Sequence, residues 1–259
     1  MTRIVVAEAA QADVERLYDF LIDTLPHEAA RTAAVLLAAG SLAGASTGCG
    51  SSSSSSNGVA SKSPEQIVTA TKAVAASAKS VHLAGSIVSR GTPITLDLDV
   101  LAGSGARGRL SENGLGFELI DTAGSVYIKG SAAFYRRVGG AAAATLLQGK
   151  WLKAPASSPE FASISTLTDL GTLIDTTLSG HGTLSKGAAT TIKGTKVIGI
   201  TDVQKGGTLY VATSGSPYPI EITKSGASGG TVTFDHWNEP LTIKAPAGAI
   251  DISQLRAAH

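Results

Sequence analysis

The chain has 259 residues, of which 21 are Lys or Arg and 20 are Asp or Glu, giving a formal charge of +1, and only 16% of its residues are charged. That balance offers no basic field to a nucleic-acid backbone, and a single Cys excludes an internal disulfide framework and a Cys-based zinc site. Hydrophobic residues make up 43%, enough for a sizeable core.

The charge is unevenly spread. Residues 1–48 hold three basic side chains (Arg3, Arg16, Arg31) against six acidic ones (Glu8, Asp13, Glu15, Asp19, Asp23, Glu28). Ala33 to Ala45 is an uncharged apolar run of 13 residues. It is too short for a bilayer span of about 20 residues but of normal length for the hydrophobic stretch of a signal peptide. Ser46, Thr47, Gly48 and Cys49 come next, then Gly50 and the serines Ser51 to Ser56. Small residues before a lone Cys and a Ser/Gly tether behind it resemble a bacterial lipobox. The resemblance implies a diacylated Cys49 thiol, cleavage before it, and Cys49 as the first mature residue. Ser46 stands where such signals usually carry Leu, which is a departure from the pattern. A tether of this composition is a random coil. Residues 1–30 fit a leader badly, because an export signal opens with positive charge. Val14, Leu17, Leu21 and Leu25 at helical spacing predict an amphipathic helix there. The stretch reads as a mis-assigned extension ahead of a start near Leu25, or as a cytoplasmic extension.

Beyond Cys49 the elements follow in chain order. Ser63-Pro64-Glu65-Gln66 predicts a helix start, with Ser as cap and Pro at the first helical position. Ile67, Ala70, Val74 and Ala78 give this helix one apolar face through about Ser80. The period then changes to two. Val81 to Arg90 is a predicted strand with Leu83 and Ile87 on its apolar side. Ile94, Leu96, Leu98 and Val100 alternate with Thr95, Asp97 and Asp99 in a second. Strands are predicted at Arg107 to Ser111, at Gly116 to Asp121 with Phe117 and Leu119 inward, and at Ser125 to Lys129 with Val126 and Ile128 inward. Helices are predicted over Ala132 to Leu147, weakened by Gly139-Gly140, and over Ile164 to Leu178.

The carboxy-terminal part returns to strands at Gly182 to Lys186, Lys196 to Val203 and Thr208 to Thr213, the last carrying Leu209 and Val211. Three more follow at Ile220 to Ser225 (Ile220, Ile222), Thr231 to His236 (Val232, Phe234) and Leu241 to Lys244. Turn residues punctuate them at Arg90-Gly91, Asn113-Gly114, Lys205-Gly206-Gly207, Ser216-Pro217 and Ser228-Gly229. Short strands joined by short turns make an antiparallel meander. The expected class is α+β, one large curved antiparallel sheet with about three helices against one face.

That order, with certain segments, resembles the actinobacterial LppX/LprG-type envelope lipoproteins, themselves similar to the LolA/LolB lipid carriers. The segments are SPEQIV at the helix start, GSVYIKG at 124–130, GKWLKAP at 149–155, TLYVATSGSPYPIEI at 208–222 and FDHWNEPLTIKAPAGAIDI at 234–252. Together they span roughly residues 59–255. The resemblance implies a half-barrel whose concave face, covered by helices, encloses an apolar cavity for acyl chains of envelope lipids or lipoglycans, with no catalytic site. Alternation by itself reads the inward residues as an ordinary core. The resemblance assigns Leu83, Ile87, Ile94, Leu96, Leu98, Val100, Phe117 and Leu119 to a lipid-cavity wall. It does the same for Val126, Ile128, Leu209, Val211, Ile220, Ile222, Val232 and Phe234.

Other motifs carry less. Gly226-x-Ser228-x-Gly230 lies between two predicted strands, whereas a nucleophile elbow needs a strand running into a helix. Gly103, Gly105 and Gly108 spell a dinucleotide fingerprint, but a strand follows instead of a helix. His27, His82, His181 and His236 share no metal-ligand spacing. Asp235 and His236 are neighbours on a predicted strand, which sets them on opposite faces. Asp97 and Asp99 share the outward face as a solvated pair. Trp151 and Trp237 read as packing residues at the sheet edge. Arg136, Arg137, Lys150 and Lys153 form a local basic group, a solvated surface or a contact for an anionic headgroup.

The sequence divides into an extension (1–30), a signal peptide (31–48), a lipidated Cys with its tether (49–62) and a LolA-like lipid-binding domain (63–255). The reading is a monomeric, non-enzymatic lipoprotein, anchored to the extracytoplasmic side of the cell membrane through acylated Cys49. Its partners are an envelope lipid or lipoglycan and possible exporter proteins, with no nucleic acid, metal or cofactor. The alternative is a non-carrier interaction module partnering an exporter or cell-wall enzyme. Protein taken from its native membrane is expected to begin at an acylated Cys49. Intact-mass measurement checks this, and recovery of any peptide from residues 4–24 overturns the mis-assigned start.

Overall fold

A computed structural model describes residues 56–89, 92–157, 170–226 and 229–252. The expectations for the leader, Cys49 and the Arg90-Gly91 turn lie outside the described residues.

After a short 3-10 turn at Val59–Ser61, helix α1 covers Pro64–Ala76. Its start is a capping box. The Ser63 hydroxyl accepts from the Gln66 N–H at 3.3 Å while the Gln66 side chain accepts from the Ser63 N–H at 3.1 Å, so two end donors are satisfied reciprocally. The helix stops earlier than its apolar period, because Ser80 already begins β1.

Strands β1 (Ser80–Ser89), β2 (Thr92–Leu101), β3 (Gly105–Glu112), β4 (Leu115–Thr122), β5 (Ser125–Gly130) and β6 (Leu152–Pro155) make one meander. Strands β7 (Leu184–Ile192), β8 (Thr195–Asp202), β9 (Thr208–Ala212), β10 (Pro219–Lys224) and β11 (Gly230–Asp235) make a second. The two join where β1 pairs antiparallel with β11, and β12 (Ile250–Asp251) closes the far edge. The result is one sheet of twelve strands in the order β12-β6-β5-β4-β3-β2-β1-β11-β10-β9-β8-β7. The expected single curved sheet with helices on one face is therefore the architecture. It is not wholly antiparallel, because β12 runs parallel to β6 with Ile250 opposite Leu152.

Leu241 to Lys244 is not a strand. The segment crosses the outer face, where the Arg107 side chain donates to the Thr242 carbonyl at 3.5 Å. Its alternation alone does not make a strand, because no ladder of the described sheet takes it in. Strands β6 and β12 escaped prediction because four and two residues are too short to show a period.

Tight turns follow local chemistry. Asn113 (φ 50°) and Gly114 (φ 76°) make the two-residue hairpin of β3 and β4, the positive-φ pair such a turn requires. Ala123 holds φ 53° in the β4–β5 turn, a region that costs an L-residue with Cβ roughly 1–2 kcal/mol.

Helix α2 spans Ala132–Leu147 and kinks at Gly140, whose φ of 80° and ψ of −177° are non-helical. Helix α3 is described over Leu170–Leu178; the residues before it that the sequence assigned to the same helix lie outside the described set. Two apolar clusters result. Helices α1 and α3 pack Ile67, Val68, Leu170 and Ile174 onto β1, β2, β8, β9 and β11. Helix α2 packs Phe134, Tyr135 and Leu147 onto β4, β5 and β6.

Two polar devices hold the frame. The buried Tyr135 hydroxyl accepts from the Gly130 N–H at 2.9 Å. Burial pushes its pKa up despite that bond. Asp202, buried at the end of β8, has its charged form penalised by burial. The N–H groups of Lys205, Gly182 and Gln204, each at 2.9 Å, and the nearby Lys205 ammonium outweigh that and lower its pKa. A carboxyl depressed in the fold stabilises above its unfolded value and loses that contribution as pH falls.

Asp202→Ala is expected to cost about 2–3 kcal/mol at pH 7, with the difference from the parent shrinking as pH falls below 3.8. Ala123→Gly is expected to add about 1 kcal/mol. Urea unfolding at several pH values measures both.

Candidate functional site

Cross-strand pairing sorts the helix-covered face into rows. Val81, Val100, Ala106, Asp121, Val126 and Ala154 form the first row across β1 to β6, and all are buried. Leu83, Leu98, Gly108, Leu119, Ile128 and Leu152 form the second, buried except at Gly108. Burial then fails by steps. In the third row Leu96 and Leu110 are half-buried, although Phe117 is covered. In the fourth, Ile87, Ile94, Glu112 and Leu115 are all half-buried. The apolar face is thus packed at one end of the strands and open at the other.

The second meander continues this open end. A narrow cavity of about 20 Å³ lies there between Val68, Ile200, Asp202, Thr208, Leu209 and Ile222, room for a water molecule and not for an acyl chain. Beside it Val203, in the β8–β9 turn, is 63% exposed.

The residues proposed from sequence for a cavity wall divide accordingly. Leu83, Leu98, Val100, Phe117, Leu119, Val126, Ile128, Leu209, Val211 and Phe234 are buried in the two clusters. Ile87, Ile94, Leu96, Ile222 and Val232 are half-buried toward the open end. Ile220 is half-buried too, but falls in the irregularity between Pro219 and Glu221 that interrupts the β9–β10 register.

Sequence reasoning missed Glu112. Counting by two from Ala106 through Gly108 and Leu110 would have found it on the apolar face. It sits between Ile94 and Leu115, and burial raises its pKa.

The outer face is polar and interlocked. Asp97 and Asp99 do point outward, but each has a partner. The His82 Nε2 lies 3.2 Å from Asp97, and the Arg107 Nε donates to Asp99 at 3.0 Å. His82 Nδ1 also lies 2.6 Å from Asp235. Burial lowers the His82 pKa, and the two carboxylates more than reverse this, leaving it raised. Asp235 and His236 are not on opposite faces. His236 has φ 51°, which ends the alternation and brings its Nδ1 within 3.4 Å of the Asp235 carboxylate. The same turn sends Trp237 inward against the first cluster, stacked on Tyr218 with ring centres 4.5 Å apart. Trp151 is half-buried under the Lys129 ammonium, 4.9 Å from its ring centre. The four basic residues do not form one group. Arg136 and Arg137 are exposed on α2, whereas Lys153 alternates with the inward Leu152 and Ala154 and so faces the other side of the sheet.

No family model matches the chain, and no curated protein sequence matches it. Solved structures do. The crystal structure of LprF from Mycobacterium bovis superposes with a TM-score of 0.50 at 17% identity, over 71% of this chain and 97% of that one. The chain shares the fold of LprF. The Mycobacterium tuberculosis lipoprotein LppX is similar at 20% identity and a TM-score of 0.46, over 70% of this chain and 100% of that one. The LprF likeness covers nearly that whole protein, so the fold is shared as a unit and not as a fragment.

A carboxyl whose pKa is raised by the fold destabilises it when ionised. Glu112→Gln is therefore expected to stabilise slightly at pH 7 and to have no effect well below the ordinary value of 4.5. Thermal melts at both pH values check the sign.

Proposed function

We propose that the chain is a membrane-anchored, non-enzymatic envelope lipoprotein that holds acyl chains of a lipid or lipoglycan at the open end of its apolar face. The observation that carries the reading is the stepwise loss of burial along that face. Aliphatic side chains on four adjacent strands, Ile87, Ile94, Leu96, Leu110 and Leu115, keep the inward register of a core yet remain half-buried. These half-buried strand ends make up its apolar rim. The likeness in fold to LprF supports the reading, and so does the lipobox-like segment around Cys49. Affinity would come from apolar area removed from water, about 0.8 kcal/mol for each methylene covered. Helices α1 and α3 form the movable wall, because they rest on side chains while every strand between the two edges is held by two ladders. The Lys72 ammonium ties them, bonding to Asp175 and, at 2.8 Å, to the Ser179 hydroxyl.

A second reading has an observation of its own. The closed half of the face is filled and the cavity beside Val68 is small, as in an interaction module for an exporter or cell-wall enzyme.

Native mass spectrometry of protein taken from its own membrane decides between them. A lipid that leaves on denaturation is expected. Refilling with fatty acids should show affinity falling about tenfold for two fewer methylenes, and Leu96→Asp with Leu110→Asp should abolish uptake while the fold is retained. A domain that is empty and takes up no envelope lipid favours the interaction module.

A further inference from the structure

A cluster at the other end of the sheet has no part in lipid holding. His82 on β1, Asp235 at the end of β11 and His236 just after it place one ligand atom each within 4.8 Å of one another. The two imidazole centres are 5.5 Å apart. Asp235 stands between them, 2.6 Å from His82 Nδ1 and 3.4 Å from His236 Nδ1.

We propose that His82, Asp235 and His236 form a binding site for a divalent first-row transition ion, zinc by its ligand set, on the outer face of the sheet. Two neutral imidazoles and a carboxylate suit zinc better than calcium or magnesium, which prefer oxygen. Ligands at about 2.0–2.1 Å from a tetrahedral ion lie roughly 3.4 Å from each other. The His236–Asp235 contact already has that separation, and the His82–Asp235 pair, at 2.6 Å, opens by roughly 0.8 Å as the ion replaces the proton between them.

Two features make the cluster more than a crossing of polar side chains. Asp97 lies 3.2 Å from Nε2 of His82, the ring nitrogen facing away from the cluster. That carboxylate holds the proton on Nε2 once the ion displaces the one that Nδ1 shares with Asp235, the outer arrangement usual for metal-bound histidine. The second feature is the backbone. A turn that needs φ 51° at residue 236 is met without strain by Gly. Histidine there carries the strain and supplies the second imidazole. The turn is locked in place: the Asn238 side chain accepts from the Lys79 N–H at 2.7 Å and donates to the Tyr218 hydroxyl at 2.7 Å. Residues 153 positions apart in the chain are thereby held together before any ion arrives. The side chains of Asp235 and His236 are 47% and 60% exposed, so an ion reaches the site from solvent and keeps water on its remaining position.

Isothermal titration of the full chain with zinc chloride, with magnesium chloride as control, tests the site. One equivalent of zinc and no magnesium is expected. His236→Gly should remove that equivalent while leaving the apo protein as stable as the parent or more so, which separates loss of a ligand from loss of the fold. His82→Ala should remove it as well. Asp97→Asn, a change at a positioning residue, should weaken binding 10–100-fold. Absence of zinc uptake by the full chain, or uptake unchanged in both His82→Ala and His236→Gly, overturns the proposal.

Discussion

The antiparallel ladder between β1 and β11 is the contact on which the molecule depends. It pairs His82 through Ile87 with Asp235 through Gly230 and turns two meanders, each with an open edge, into one sheet. Bringing such distant segments together carries a large but slowly growing loop-closure cost. What offsets it is the apolar row on the inner side, where Leu83 meets both Phe234 and Leu98. That row is also the floor on which α1 and α3 rest. The outer side of the same ladder sets His82 beside Asp235. One register therefore determines both faces, and a slip by a single residue would exchange them.

Much of the fold was legible because its strands are half-buried. In β2, Ile94, Leu96, Leu98 and Val100 carry the alternation unbroken, and the pairs Leu83–Leu98 and Leu98–Gly108 fall where that alternation puts them. Helix α1 announced itself through Ser63-Pro64 and α2 through intervals of four, with Gly139-Gly140 marking where it would bend. The parallel β12 and the short β6 were illegible for a physical reason: they are defined by the edge they pair with and not by their own side chains. The reverse happened at Leu241 to Lys244, where a good local pattern found no partner.

The open end was harder to read than the core. Sequence gives the parity of a residue but not its depth along the strand, so Ile94 and Leu98 look alike although only Leu98 is buried. Glu112 was readable by counting from Ala106, yet a lone carboxylate at a strand end passes for a turn residue. His236 defeated the rule of alternation because one positive φ reverses the sides of everything after it. No side-chain pattern discloses that rotation. The nearest signal is the run Asp235-His236-Trp237-Asn238, polar and aromatic residues packed together where a strand should continue.

The place where the chain enters the domain has a mechanical consequence. Ser56 bridges to Ser214, and the Asn57 side chain donates to the carbonyls of Ala212 and Gly215, at and just past the end of β9 and opposite the rim. From Cys49 to Ser56 the chain reaches at most about 25 Å when fully extended, while a ten-residue strand such as β2 is about 34 Å long. If Cys49 is acylated as proposed, the domain stands with its rim pointing away from the bilayer that moors it, on a leash too short for a somersault. The rim meets that bilayer only when the domain lies on its side, and upright it faces outward to whatever lies beyond.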